Sequence, residues 1–157
     1  MITRAAAVEA AKRGLETFRL QRSPGVASAL TTAKAGAPIF VTRLDDPNRD
    51  YYLVPWLEDR GIVLIVQVDA STGAMSSATP LPKPLPRLVS SPNEARRVVL
   101  EALNRRSTGE PRLVWRPCRE SSSPLQPFYQ VSTEKGDVFV GVDASVYASL
   151  TPFGKGG

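Results

Sequence analysis

At 157 residues, with 42% hydrophobic and 22% charged side chains, the chain is long enough for one sizeable core or two small ones. It holds no histidine and one cysteine, Cys118. That excludes Ser-His and Cys-His nucleophiles, HExxH zinc sites, internal disulfides and thiolate metal cages, and favours Cys118 as a packed or incidental residue over a reactive thiol. The net charge of +5 lies mostly in the second half, where Glu94, Glu101, Glu110 and Glu120 are interleaved with seven arginines between Arg96 and Arg119. This is the pattern of a solvated face, not of a nucleic-acid stripe.

In chain order, "MITRAAAVEAAKRGLETF" carries Glu9 and Lys12 where a signal peptide needs an unbroken apolar segment. The protein is expected in the cytoplasm if Met1 is its native start, and outside it if a leader has been removed. No apolar run approaches the length of a membrane span. Val8, Ala11, Leu15 and Phe18 fall at helical spacing and predict an amphipathic helix. "SPGVASALTTAKAG" predicts a shorter helix closed by Gly36. A strand starts at Ala37, and "DDPNRD" follows it. Asp46, Asn48 and Asp50 have the alternate spacing of a calcium loop, but Tyr51 and Leu57 stand where its Gly and bidentate Glu belong, so a hairpin turn is expected there. "DYYLVPWL" and "GIVLIVQVDAS" read as the two strands of a hairpin.

Residues 79–88, "TPLPKPLPRL", read as a semi-rigid polyproline spacer and lack the PxxP arrangement of an SH3 ligand. Beyond it, "SPNEARRVVLEAL" sets Ser91 as N-cap, Pro92 at the first helical position and Glu94 three residues on, a capping box opening a helix with Ala95, Val98, Val99, Ala102 and Leu103 on one stripe. Strands follow at "EPRLVWRP", "PFYQVST" and "GDVFVGVDAS". The terminal "GKGG" reads as frayed glycines, since no β-grasp pattern precedes it to make it a conjugation tail.

Val-Asp-Ala-Ser occurs twice, at 68–71 and 142–145. Laid side by side, the halves match Glu9 with Glu94, Leu15 with Leu100, Arg43 with Arg116, Tyr52 with Tyr129, Val54 with Val131, and Asp69 with Asp143. The expectation is an α+β chain of two tandem repeats, each a helix packed on an antiparallel sheet, at 1–78 and 91–157 with a linker at 79–90. Asp69, Gly73 and Asp143 are assigned to the turns, where a strand-ending Asp accepts hydrogen bonds from the amides that follow. A carboxylate pair for acid-base chemistry is the competing reading of Asp69 and Asp143. Equivalent positions in two repeats favour the structural one.

The stretch "DPNRDYYLVPWLEDRGIVLIVQVDASTG" resembles the PepSY domain of bacterial peptidase propeptides and cell-envelope proteins, through Tyr52, Val54, Gly61, Val66, Val68, Asp69, Thr72 and Gly73. The second half keeps Tyr129, Val131, Gly136, Val140, Val142 and Asp143, with Val146 and Tyr147 in place of Thr-Gly. The resemblance implies a cystatin-like helix on a sheet and a role in binding or restraining a partner, a peptidase above all. In outline the tandem is also similar to beta-lactamase inhibitory proteins, without their disulfides.

Strand parity puts Tyr52, Val54 and Trp56 on one face and Tyr51, Leu53 and Leu57 on the other. The helix covers one face only. The opposite one, with Tyr51, Leu53, Leu57, Ile65, Phe128 and Phe139, is expected either to bind another protein or to be where the two repeats, or two chains, pack against each other. A non-catalytic protein-binding module is therefore expected, with a self-associating structural protein as the alternative and an enzyme built on carboxylates, Lys, Ser or Tyr as a third option. No cofactor or metal is expected.

Overall fold

A computed structural model describes residues 1–153 and gives an α+β chain with three α-helices and nine strands; the GKGG tail lies outside the described residues. The chain divides into two compact units, Met1–Phe40 with Asn48–Leu88, and Val41–Pro47 with the chain from Val89 onward.

In the first unit, α1 (Arg4–Thr17) opens on Thr3, whose hydroxyl accepts from the Ala6 amide at 3.1 Å. Its buried stripe is Ala7, Ala10, Ala11, Gly14 and Leu15. The predicted stripe is thus rotated by about one position: Val8 is half-buried and Phe18 is 61% exposed. Small side chains let the helix lie close to the sheet, and a Cβ at Gly14 would sit 2.6 Å from Met75 Cβ. The second helix, α2 (Pro24–Thr32), ends at Ala33, an extended residue; Gly36 does not close it but donates its amide to Pro55 at 2.7 Å.

Strand β1 (Lys34–Ala35) pairs antiparallel with β3 (Tyr51–Glu58), and β3 with β4 (Gly61–Asp69) through a two-residue turn. Gly61 closes that turn at φ +125°, a region open to glycine but strained for other residues. The helix-facing side chains Tyr52, Val54, Trp56, Leu64, Val66 and Val68 make one buried cluster with the α1 stripe. A bulge beside Leu64 turns Val63 onto the same side.

Residues 79–85 are not a spacer. They belong to β5 (Met75–Leu85), antiparallel to β4 with Ile65 opposite Thr79 and Leu64 opposite Pro80. Proline survives in a strand only where its missing amide hydrogen is not needed, and β5 is outermost in its sheet. Between Leu64 opposite Pro80 and Ile62 opposite Leu85 the pairing is irregular, which accommodates Pro82 and Pro84.

In the second unit, α3 (Pro92–Leu103) is capped by Ser91, whose Oγ accepts from the Glu94 amide at 3.1 Å, and it ends on Asn104 in the left-handed region. Ala95 and Val99 pack against Tyr129, Val131, Val138 and Val140. Strands β6 (Arg112–Trp115), β7 (Phe128–Thr133), β8 (Gly136–Val140) and β9 (Val146–Tyr147) form an antiparallel series. The end of β2 (Ile39–Arg43) runs parallel to β6, with Thr42 opposite Val114 and Arg43 opposite Trp115.

The expected boundaries at 1–78, 79–90 and 91–157 are corrected accordingly. Residues 41–47 complete the second unit, because β6 takes their strand as a neighbour and the Leu44 amide donates to Trp115 O at 3.0 Å. Arg43 also spans 5.0 Å to the Trp115 ring and grips both oxygens of Asp45 at 2.8 and 2.7 Å. Arg43 and Arg116 are therefore not counterparts in separate sheets.

The repeated phrase shifts as well. Tyr52 faces Val68 across the strands and Tyr129 faces Val140, so Val142 and Asp143 come two residues later in their hairpin than Val68 and Asp69 in theirs. Val142 is 43% exposed, whereas Val68 is buried.

Candidate functional site

On the side of the second sheet away from α3, Phe128 forms the floor of a hollow of about 140 Å³, lined also by Glu120, Ser121, Gln126, Gly141, Asp143 and Tyr147. Local structure places each wall. Tyr147 is carried by β9 and meets the Phe128 ring edge-on, centroids 6.0 Å apart. Asp143 sits in the turn from 141 to 145, closed by the Gly141 amide on Ser145 O at 2.9 Å, with Ala144 at φ +67°. One Asp143 oxygen accepts from the Ser145 amide at 3.0 Å and the other from the Ser145 hydroxyl at 2.9 Å. Glu120 accepts from the amide and the hydroxyl of Thr151 at 2.9 and 2.8 Å. The Arg119 amide on Thr151 O, at 3.0 Å, fastens the same two segments.

These donors fix the charge of the hollow. The Ser145 amide, then its hydroxyl, holds Asp143 below its ordinary 3.8. At Glu120 burial pushes upward, but the Thr151 hydroxyl and amide outweigh it and the group lies below its ordinary 4.5. Both carboxylates are thus ionised at neutral pH. Two anions beside two aromatic rings suit a compact cation such as a lysine ammonium or an arginine guanidinium. Neither acid retains a proton to give at neutral pH.

Cys118 is fully buried with Sγ 3.5 Å from Ser121 O, and burial pushes its thiol above its ordinary value. Beside the hollow, Phe139 stands opposite Tyr147 on β8 and is half-buried. Arg112 donates to Gln130 at 2.8 Å and Gln130 to Asp137 at 2.9 Å along the neighbouring strands.

No protein-family profile and no curated protein matches the chain. Among solved structures, a candidate lipoprotein of Clostridium difficile 630 aligns over 83% of this chain and 86% of that one, at 15% identity and a TM-score of 0.28. A likeness at that level carries no argument about fold or role.

The residues expected on an open face divide sharply. Tyr51, Leu53 and Ile65 are buried, so the first unit does not offer them as a contact surface. Leu57 is 39% exposed at the hairpin end, in register with Ile62 and, through it, Leu85. Phe128 is reached only as the floor of the hollow, and Phe139 keeps part of its surface. Of the turn residues, Asp69 Oδ1 accepts from the Ser71 and Thr72 amides at 2.8 Å each and from the Thr72 hydroxyl at 3.0 Å, and Gly73 adopts φ +76°. Asp143 lies in its own turn and in the hollow at once.

Sequence reasoning missed Glu120, Ser121, Gln126 and Tyr147. For Tyr147 a signal existed: where the first half has Thr-Gly, the second has Val-Tyr, which returns an aromatic ring to the Phe128 face. Glu120 and Gln126 reach the hollow from an irregular stretch with no periodicity to read. Asp46, Asn48 and Asp50 surround a single 3-10 turn, and among the described residues no cluster of His, Cys, Asp or Glu is placed to hold a metal.

Proposed function

We propose that the protein is a non-catalytic protein-binding module of PepSY-like build, two tandem copies of one unit, in which the second copy grips a partner through Phe139, Tyr147 and the hollow beside them. A basic side chain of the partner enters the hollow. A peptidase is the first partner class to test, as the resemblance of the sequence implies.

The duplication is supported by one repeated contact. Tyr52 Oη donates to Ile2 O at 3.0 Å and Tyr129 Oη to Ser90 O at 2.9 Å, and each acceptor is the residue just before a helix N-cap. The observation that carries the binding role is the pairing of two ionised carboxylates with the Phe128 and Tyr147 rings in one accessible hollow. Aromatic anchors with an unmatched charge beside them mark contact surfaces. No helix among the described residues is long and apolar enough to cross a membrane.

The test places a photo-crosslinking amino acid at Phe139 in the native host, identifies the attached protein, and measures its affinity for the purified chain. A single dominant adduct whose affinity falls about tenfold or more on Glu120→Gln supports the reading. The absence of an adduct above background, or affinity untouched by Glu120→Gln and Tyr147→Ala, overturns it. Inhibition of the captured protein, where it is a peptidase, separates restraint from simple attachment.

A further inference from the structure

We infer that the outer edge of β5 is closed to strand addition, and that Pro80, Pro82 and Pro84 keep a second copy of this chain from pairing there. At eleven residues β5 is the longest strand of the described chain, and it lies outermost in its sheet. An edge of that length would ordinarily present a row of free amide and carbonyl groups, the template on which another chain adds a strand. The first part pairs regularly with β4, Gln67 opposite Ser77 through Leu64 opposite Pro80.

Pro80 has no amide hydrogen to exchange with Leu64, so that pair is of the non-bonded kind and Thr79 exchanges both bonds with Ile65. Ala78 and Pro80 therefore direct their backbones outward. Ala78 has an outward donor; Pro80 has none. Past Pro80 the strand carries Pro82 and Pro84 and an exposed Lys83. An incoming strand finds a donor at Ala78 and then three residues without one in the next stretch, with a cation among them. That breaks the alternation that pairing requires.

The prolines also cost the native sheet little, because the pairing to β4 is already irregular between Pro80 and Leu85. The same composition that reads as a linker thus serves as a cover for an edge. In the second unit, the strand paired with β8, β9, is only two residues long and leaves little edge to extend.

The experiment compares the full chain with Pro80→Thr/Pro82→Thr/Pro84→Thr by sedimentation and thioflavin fluorescence at about 100 μM. The wild-type chain is expected to show no association through β5, and the triple variant to form dimers or larger species. A spin label at the exposed residue 76 of the same strand should then report a second label nearby. A triple variant that folds and keeps the wild-type sedimentation refutes the inference. So does a wild-type chain whose residue-76 labels already meet. If the triple variant does not fold, Pro82→Thr alone is judged by the same two readouts.

Discussion

Removing the hydroxyl of Tyr52 or Tyr129 probes the contact on which the two-copy reading rests. Each ring is buried in its own helix-facing cluster, so Tyr→Phe leaves the packing in place and deletes one hydrogen bond, 3.0 Å long in the first unit and 2.9 Å in the second. The acceptors, Ile2 O and Ser90 O, belong to half-buried residues. Water can reach the freed carbonyl in part, which places the loss in the lower half of the usual range, about 0.5–1 kcal/mol each. That corresponds to a fall in Tm of about 1–4 °C if the chain melts as one unit. Urea unfolding gives the loss directly, and native-state hydrogen exchange locates it: Tyr52→Phe should weaken protection in α1 and β4, and Tyr129→Phe in α3 and β8. The double variant should lose the sum, since each hydroxyl serves a different helix. A loss confined to one of the two variants, or exchange changes in the wrong unit, would refute the shared device.

Asp45→Asn should destabilise by about 2 kcal/mol in urea unfolding, because it replaces the carboxylate that receives two charge-assisted bonds from the largely buried Arg43 guanidinium with a neutral amide. Acid should weaken the fold in a defined window. Asp45, through its bond from Arg43, and Asp143, through the Ser145 amide, both lie below their ordinary 3.8. A lowered folded value means the stabilisation is complete above the unfolded value and disappears as pH falls through the folded one, so Tm should decline below about pH 4. Asp143→Asn should flatten part of that decline; an unchanged profile in scanning calorimetry would contradict it. Cys118, buried and with a raised thiol value, should react with Ellman's reagent only as fast as the chain opens, and rapid labelling of the folded protein would show the site to be accessible.

Local signals carried much of the architecture. The capping box at Ser91, the glycine turns at Gly61 and Gly136 and the alternation in both hairpins are short-range chemistry, and helices and strands stand where they point. Parity separated Tyr52 from Tyr51 correctly because it depends only on neighbours along one strand. What parity does not contain is whether the second face is covered, and the burial of Tyr51, Leu53 and Ile65 decides that only in the folded chain. Pairing partners distant in sequence were equally hidden. Nothing near Thr42 announces Val114, and the prolines of β5 are acceptable only because that strand is outermost. The Val-Asp-Ala-Ser phrase misled for the opposite reason: identical letters suggested identical register, while the second hairpin keeps the partner of its tyrosine and lets the phrase slide by two positions. The hollow, drawn from three separated stretches, was visible only at Phe128 and Asp143.

The membership of Val41–Pro47 in the second unit has a consequence for how the molecule is made. Synthesis delivers this stretch early, while the parallel neighbour of Thr42 emerges only after α3 has been produced. During that interval the nascent protein holds an unfinished strand in waiting. Proteolysis anywhere between 79 and 90 would leave the later fragment without its own missing piece, so the two units share one fate in assembly even though their sequences look separable.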